Sequence, residues 1–104
     1  MSLEIRISEP ASFDLAQIWN YLYEESSESV ATKFVERIKA RAAQAASFPF
    51  SGAPRFHLAP GLRVLFYEQY AIYYVPKDSE VIVARVLHGA RDLTAIAEEG
   101  GFTL

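Results

Sequence analysis

Apolar positions cluster in three strand-like runs between Leu62 and His88, separated by two short polar breaks. Leu62 to Tyr67 (LRVLFY) is followed by Glu68-Gln69, a two-residue hairpin turn. Tyr70 to Val75 (YAIYYV) leads into Pro76-Lys77-Asp78-Ser79, which is turn chemistry, and Glu80 to His88 (EVIVARVLH) is the longest run. Three strands on such tight connections predict an antiparallel meander. The runs are apolar on both faces over much of their length, so something must cover each side of the sheet. Arg63, Arg85, His88 and Arg91 interrupt the apolar pattern, and the face they occupy is where the sequence points for function.

Upstream, Leu3, Ile5 and Ile7 alternate with Glu4, Arg6 and Ser8, which predicts a short strand with one buried face that joins the meander. Ser8-Glu9-Pro10 then supplies a cap and a first-turn proline. Ala11, Leu15, Ile18, Trp19 and Leu22 follow at helical spacing, with Asp14, Gln17, Glu24 and Glu25 assigned to the polar side of a helix ending near Ser26. Ser26-Ser27-Glu28-Ser29 caps a second helix, whose apolar face is Ala31, Phe34, Val35, Ile38, Ala42 and Ala45. So short a link folds the two helices back as an antiparallel hairpin that covers one face of the sheet. Lys33, Arg37 and Arg41 stand four residues apart and read as a solvated basic stripe.

Pro49 to Gly61 holds three of the five prolines and two of the five glycines, which predicts a long irregular connection back to the meander. It is either a functional loop or a plug in which Phe50, Phe56 and Leu58 close the open edge of the core. Beyond Gly89, residues Ala90 to Ala97 are expected to form one or two helical turns with Asp92 as a cap. The tail from Glu98 to Leu104 is expected to be loosely held, with Phe102 and Leu104 available to dock. The order of elements predicts an α+β fold, a small antiparallel sheet of about four strands against an N-terminal helical hairpin, as a single domain over residues 1–104.

Composition narrows the chemistry. The chain of 104 residues is 51% hydrophobic and 22% charged, a folded profile with room for one core. It contains no cysteine, which removes thiol nucleophiles, disulfides and cysteine-bound zinc. The two histidines, His57 and His88, lie in different segments, so no metal site is expected. A basic leader and a run of eighteen apolar residues are both missing from the pattern, so the expectation is a cytoplasmic protein without a membrane. The net charge of -3 gives no help to non-specific nucleic-acid binding, and an anionic partner must meet a local patch. Nucleophile-elbow, triad and phosphate-loop patterns are not present, and Glu24-Glu25 and Glu98-Glu99 read as solubilising surface acids. No catalytic residue and no cofactor is therefore expected. What remains is Arg63, Arg85, His88 and Arg91, which admit two readings. Either an exposed Arg85 converges with the other three as a cationic patch, or Arg85 pairs with a carboxylate and His88 is structural.

Pro10 with Asp14-Leu15, Ile18-Trp19-Asn20-Tyr21, Phe34, Phe48-Pro49 with Gly52, Pro60-Gly61-Leu62-Arg63 and Tyr70-Ala71-Ile72-Tyr73-Tyr74 carry a resemblance, and Arg85-Val86-Leu87-His88-Gly89-Ala90-Arg91-Asp92 most of all. In this order and spacing they resemble the ParE branch of the RelE/ParE toxin superfamily over nearly the whole chain. The resemblance implies the toxin of a type II toxin–antitoxin (plasmid-stabilisation) system, with a helical hairpin packed on a small antiparallel sheet. ParE members inhibit DNA gyrase, whereas RelE members cut mRNA on the ribosome with several lysines and arginines and a catalytic Tyr or His near the C-terminus. Here no tyrosine follows Tyr74, Leu93 and Thr94 stand where one is expected, and Lys77 is the only lysine after Lys39. That departure favours the non-enzymatic branch. The partners implied are a cognate ParD-like antitoxin and DNA gyrase, with promoter DNA reached only through the antitoxin. Arg63, Arg85, His88 and Arg91 match family positions and are the target-binding candidates. An apolar antitoxin helix is expected to lie across Trp19, Leu22 and Phe34.

Overall fold

Ser8 starts the helical layer because its side chain accepts a hydrogen bond from the Ala11 N–H, with Pro10 pre-set for the first turn. In the computed structural model, which describes residues 2–89 and 91–103, the chain runs β1 (Glu4–Ile7), α1 (Glu9–Glu25), α2 (Glu28–Ser47), β2 (Ala53–Pro54), β3 (Arg63–Tyr67), β4 (Tyr70–Pro76), β5 (Glu80–His88) and α3 (Leu93–Glu98). Ser27 caps α2 through the Val30 N–H at 3.1 Å, and Trp19 Nε1 donates to Thr32 Oγ1 at 3.1 Å across the hairpin. Ala11, Leu15 and Ile18 of α1 and Ile38 and Ala42 of α2 pack on Ile72, Val83 and Val86. The small alanines let the helices lie close to the sheet.

The sheet has the order β1-β5-β4-β3-β2. It differs from the expected four antiparallel strands in two ways. A two-residue β2 extends it along β3, and β1 pairs parallel to β5, from Glu4 opposite Glu80 to Ile7 opposite Val83. Period-two alternation says that one face of β1 is covered but not which strand lies beside it. Its edge position also leaves Ile5 37% exposed. The Glu68-Gln69 turn forms as expected, with Tyr67 opposite Tyr70 and Glu68 at φ 52°. Between β4 and β5 the register shifts, with Tyr73 opposite Arg85 and Tyr74 opposite Val83. The extra residue, Ala84, is a bulge. It lets Val83 and Val86 both face the helices while Ala84 and Leu87 face the other way.

That second face is covered by the loop before β3 and by the C-terminus. Ala59, Leu62 and Phe102 close over Val64, Ala71, Tyr73, Val75, Ala84 and Leu87. Phe102 is 2% exposed, with its ring centroid 4.8 Å from that of Tyr73, so this part of the tail is a docked plug rather than a loose end. The expectations for Leu104 and Ala90 lie outside the described residues. Asp92 caps α3 through the Ala95 N–H. Phe50 and Phe56 do not plug the core, being 72% and 55% exposed, whereas Leu58 is partly buried against it. Among the described residues no helix is long and apolar enough to cross a membrane, and no group of His, Asp or Glu is spaced to hold a metal ion.

Candidate functional site

Because β1 ends opposite Val83, β5 beyond that point is a margin of the sheet, and α1 lies along it. The Ser8 N–H donates to the Val83 carbonyl at 3.0 Å and the Ser8 hydroxyl to the Ala84 carbonyl at 2.9 Å. The Val86 N–H then donates to Asp14 Oδ2 at 3.0 Å. The same carboxylate accepts Arg85 Nε at 2.8 Å and Arg85 Nη2 at 2.9 Å in a two-pronged bond. Asp14 is 5% exposed and the Arg85 side chain 17%. Arg85 is therefore not the exposed cation of the first reading. The bulge brings its side chain beside α1, where a half-buried guanidinium without a partner would cost several kcal/mol or more. The Asp14 hydrogen bond raises the Arg85 pKa, against the opposing effect of burial. Asp14 is correspondingly not on the polar side of α1. It stands three residues after Ala11 and four before Ile18, within the apolar stripe.

Past this ion pair lies a cleft of about 170 Å³, with Gln17, Ile18 and Tyr21 of α1 on one side and Tyr70 of β4, His88 and Arg91 on the other. His88 is exposed and meets the Tyr70 ring edge-on, 5.5 Å between centroids at 90°. Arg91 is exposed, and its N–H donates to the His88 carbonyl at 3.1 Å. Burial, and next the neighbouring Tyr21, push the Tyr70 phenol above its ordinary pKa. The structure thus brings His88 and Arg91 into one cleft whose lining includes Asp14. Tyr21, Tyr70 and Asp14 are site residues that residue type alone does not single out. Tyr70 was accessible from the hairpin, whose register places it directly across from His88.

Arg63 does not join them. It lies opposite Tyr74, four residues along β4 from Tyr70 and so roughly 13 Å away along the strand. Its Nη1 donates to the carbonyls of Phe50 at 3.2 Å and Gly52 at 2.9 Å, and its guanidinium lies 5.1 Å from the Phe50 ring centre and 5.5 Å from that of Phe56. The buried Tyr74 hydroxyl fixes the same loop, accepting from the Gly52 N–H at 2.9 Å and donating to the Pro49 carbonyl at 2.8 Å. Only glycine fits there, since a Cβ on Gly52 would come within 2.5 Å of that hydroxyl. The antitoxin-binding candidates Trp19, Leu22 and Phe34 are half-buried along the helical hairpin. Trp19 stacks on Tyr23 at 5.1 Å, and Phe34 meets Tyr67 and Tyr70 edge-on at 5.3 and 5.7 Å.

Residues 5–93 match the family described as the ParE toxin of type II toxin–antitoxin system, parDE. Over 86 residues, 83% of this chain and 86% of the relative, the sequence is 29% identical to Toxin ParE3 of Caulobacter vibrioides. Among solved structures, the chromosomal ParDE system from P. aeruginosa superposes with a TM-score of 0.72 at 21% identity, covering 84% of this chain and 96% of the other. The RelBE2 toxin–antitoxin complex from Mycobacterium tuberculosis superposes with a TM-score of 0.65 at 17% identity, covering 85% and 99%. At such identities the two superpositions speak for the fold, a helical hairpin against a small mixed sheet.

Proposed function

The chain belongs to the ParE toxins of type II toxin–antitoxin systems, and from that premise we propose that it acts by binding, with DNA gyrase as its target and a cognate ParD-like antitoxin as its neutraliser. The observation that carries the binding reading is the state of the cleft beyond Arg85. Its carboxylate, Asp14, is buried and committed to three hydrogen bonds, which leaves it little surface to offer a substrate. Its half-buried phenol, Tyr70, is shifted upward, away from the range of a general base near neutral pH. Arg91 and His88 remain exposed and offer a guanidinium fork and an imidazole to an acidic or nucleic-acid-bound surface.

The antitoxin reading rests on the helical hairpin, where Tyr21 and Tyr23, 59% and 51% exposed, lie on the same helix as the half-buried Trp19 and Leu22, with Phe34 of α2 half-buried toward the sheet. An apolar antitoxin helix laid there would cover it, and promoter DNA would be reached through the antitoxin. A second reading, a RelE-like mRNA endonuclease, draws on Tyr70, His88 and Arg91 sharing one cleft. Expression without antitoxin separates the two. Inhibited supercoiling with intact messages is the expected outcome, and codon-positioned message cleavage on ribosomes would replace binding with catalysis. Hydrogen exchange that gains no protection on α1 or α2 when antitoxin is added would move its docking site elsewhere.

A further inference from the structure

Between Glu36 and Glu68 the chain carries five of its ten basic residues and none of its thirteen acidic ones. The overall charge of -3 therefore conceals a strongly positive segment. Four of the seven phenylalanines, Phe48, Phe50, Phe56 and Phe66, fall in the same segment, and all are exposed, by 52 to 72%. The fold gathers much of this at the margin formed by β2 and β3. Arg63 sits between the Phe50 and Phe56 rings at one end. Three residues along β3, Arg41 of α2 reaches over to the Phe66 carbonyl at 2.9 Å, and Arg37 lies one helical turn before it. The strip from Arg63 to Arg37 is on the order of 15 Å long, by strand and helix rise.

We propose that this margin binds single-stranded nucleic acid, with bases stacked on Phe50 and Phe56 and phosphates paired with Arg37, Arg41, Arg55 and Arg63. Three of the four arginines are held by neutral acceptors. Arg63 is held by two carbonyls, Arg55 by the Pro54 carbonyl at 2.8 Å, and Arg41 by the Phe66 carbonyl and the Gln44 amide oxygen. Among the described residues the ion pairs are Arg6 with Glu80 and Arg85 with Asp14, both elsewhere. Fixed cations that keep their charge are placed to release counterions from a phosphate chain. Two exposed rings flanking one guanidinium offer stacking faces beside a phosphate partner, and stacking of this kind is indifferent to sequence. An acidic peptide would instead want a hollow for its apolar anchors. The hollow that reaches Phe50, about 630 Å³, is lined largely by the polar Lys77, Asp78, Ser79 and Glu80, and the apolar hollow of about 130 Å³ lined by Ile5, Ile7, Leu15 and Ile38 lies at the opposite, β1 margin. This surface is separate from the cleft at His88 and does not depend on the identity of the toxin's target.

The test is fluorescence anisotropy of labelled twelve-nucleotide oligo-dT and oligo-U with the full chain, beside a duplex of equal length and an acidic, leucine-containing peptide. We expect single-strand binding that weakens roughly 50-fold between about 50 and 200 mM salt, the slope for four phosphate contacts. Phe50→Ala/Phe56→Ala should weaken it at least about tenfold, with the salt slope and the melting temperature unchanged because both rings are exposed. Arg63→Gln should instead flatten the slope by about 0.7. Absence of binding at low salt overturns the proposal, as does full affinity in the Phe50→Ala/Phe56→Ala variant. Tighter binding of the peptide than of either oligonucleotide would reassign the margin to a protein partner.

Discussion

At one margin of the sheet β5 runs past the end of β1, and at the other β3 runs past β2. In both places the helical hairpin reaches over to satisfy the outward-facing backbone. Asp14 of α1 accepts the Val86 N–H, and Arg41 of α2 donates to the Phe66 carbonyl. The sign of each side chain suits the group it meets, and a capped edge is a poor template for pairing with another chain. The two caps differ in what surrounds them. Asp14 is buried and neutralised by Arg85, whereas Arg41 is partly exposed and bonds only neutral acceptors. One margin is thus a locked ion pair that holds α1 to the sheet, and the other is a surface that keeps its charge. Arg85 therefore belongs to the structure, and the side chains left exposed at the β5 end are His88 and Arg91.

The largest effect is expected where the margin is locked. Asp14→Ala strands the Arg85 guanidinium and the Val86 N–H, and should cost about 3 kcal/mol, lowering the melting temperature by on the order of 10 °C or more. In a double-mutant cycle, Arg85→Met should cost far less in the Asp14→Leu background than in the native one. An Asp14→Ala cost below about 1 kcal/mol in urea unfolding would erase the contrast between the margins. At the other margin, Arg41→Met gives up one solvent-accessible hydrogen bond to a carbonyl, and roughly 0.5–1 kcal/mol is expected by the same measurement.

The smallest effect is alkaline. Burial raises the pKa of Tyr70 and Tyr73, so the folded chain keeps these protons to higher pH than the unfolded chain does. Their contribution is complete below a pH of about 10 and is lost as the pH rises through the folded-state values. Urea titrations from neutral to strongly alkaline pH should show that loss, and Tyr70→Phe and Tyr73→Phe should each make it shallower.

Much of the layer structure was legible because helical and strand periods report which residues face inward. Ala11, Leu15 and Ile18, then Ala31, Ile38, Ala42 and Ala45, are buried as their spacing implies, and the hairpin at Glu68-Gln69 and the cap at Asp92 follow from turn and cap chemistry. Partners in space were less legible. Alternation in β1 carries no information on its neighbour, so its parallel pairing with β5 had no local signal. Asp14 was assigned outward by residue type although its position lay in the apolar stripe, and position won because a buried edge N–H and a guanidinium both needed an acceptor. Of the two readings of the Pro49 to Gly61 loop, the plug places Phe50 and Phe56 inward by hydrophobicity, but they bracket Arg63 at the surface, a contact that joins distant segments. Of the two readings of Arg63, Arg85, His88 and Arg91, the convergence of four cations fails because register places Arg63 opposite Tyr74 while His88 lies opposite Tyr70, and because Arg85 pairs with Asp14.

The central claim is that recognition begins where the locked pair ends, at His88 and Arg91. Its most direct test is inhibition of gyrase supercoiling by the His88→Ala/Arg91→Ala variant, measured beside its melting temperature and its affinity for the antitoxin. Both side chains are exposed, so the melting temperature should stay within about 2–3 °C of the parent while inhibition weakens about tenfold or more. Undiminished inhibition, or inhibition lost together with an equally large loss of stability, would contradict the claim.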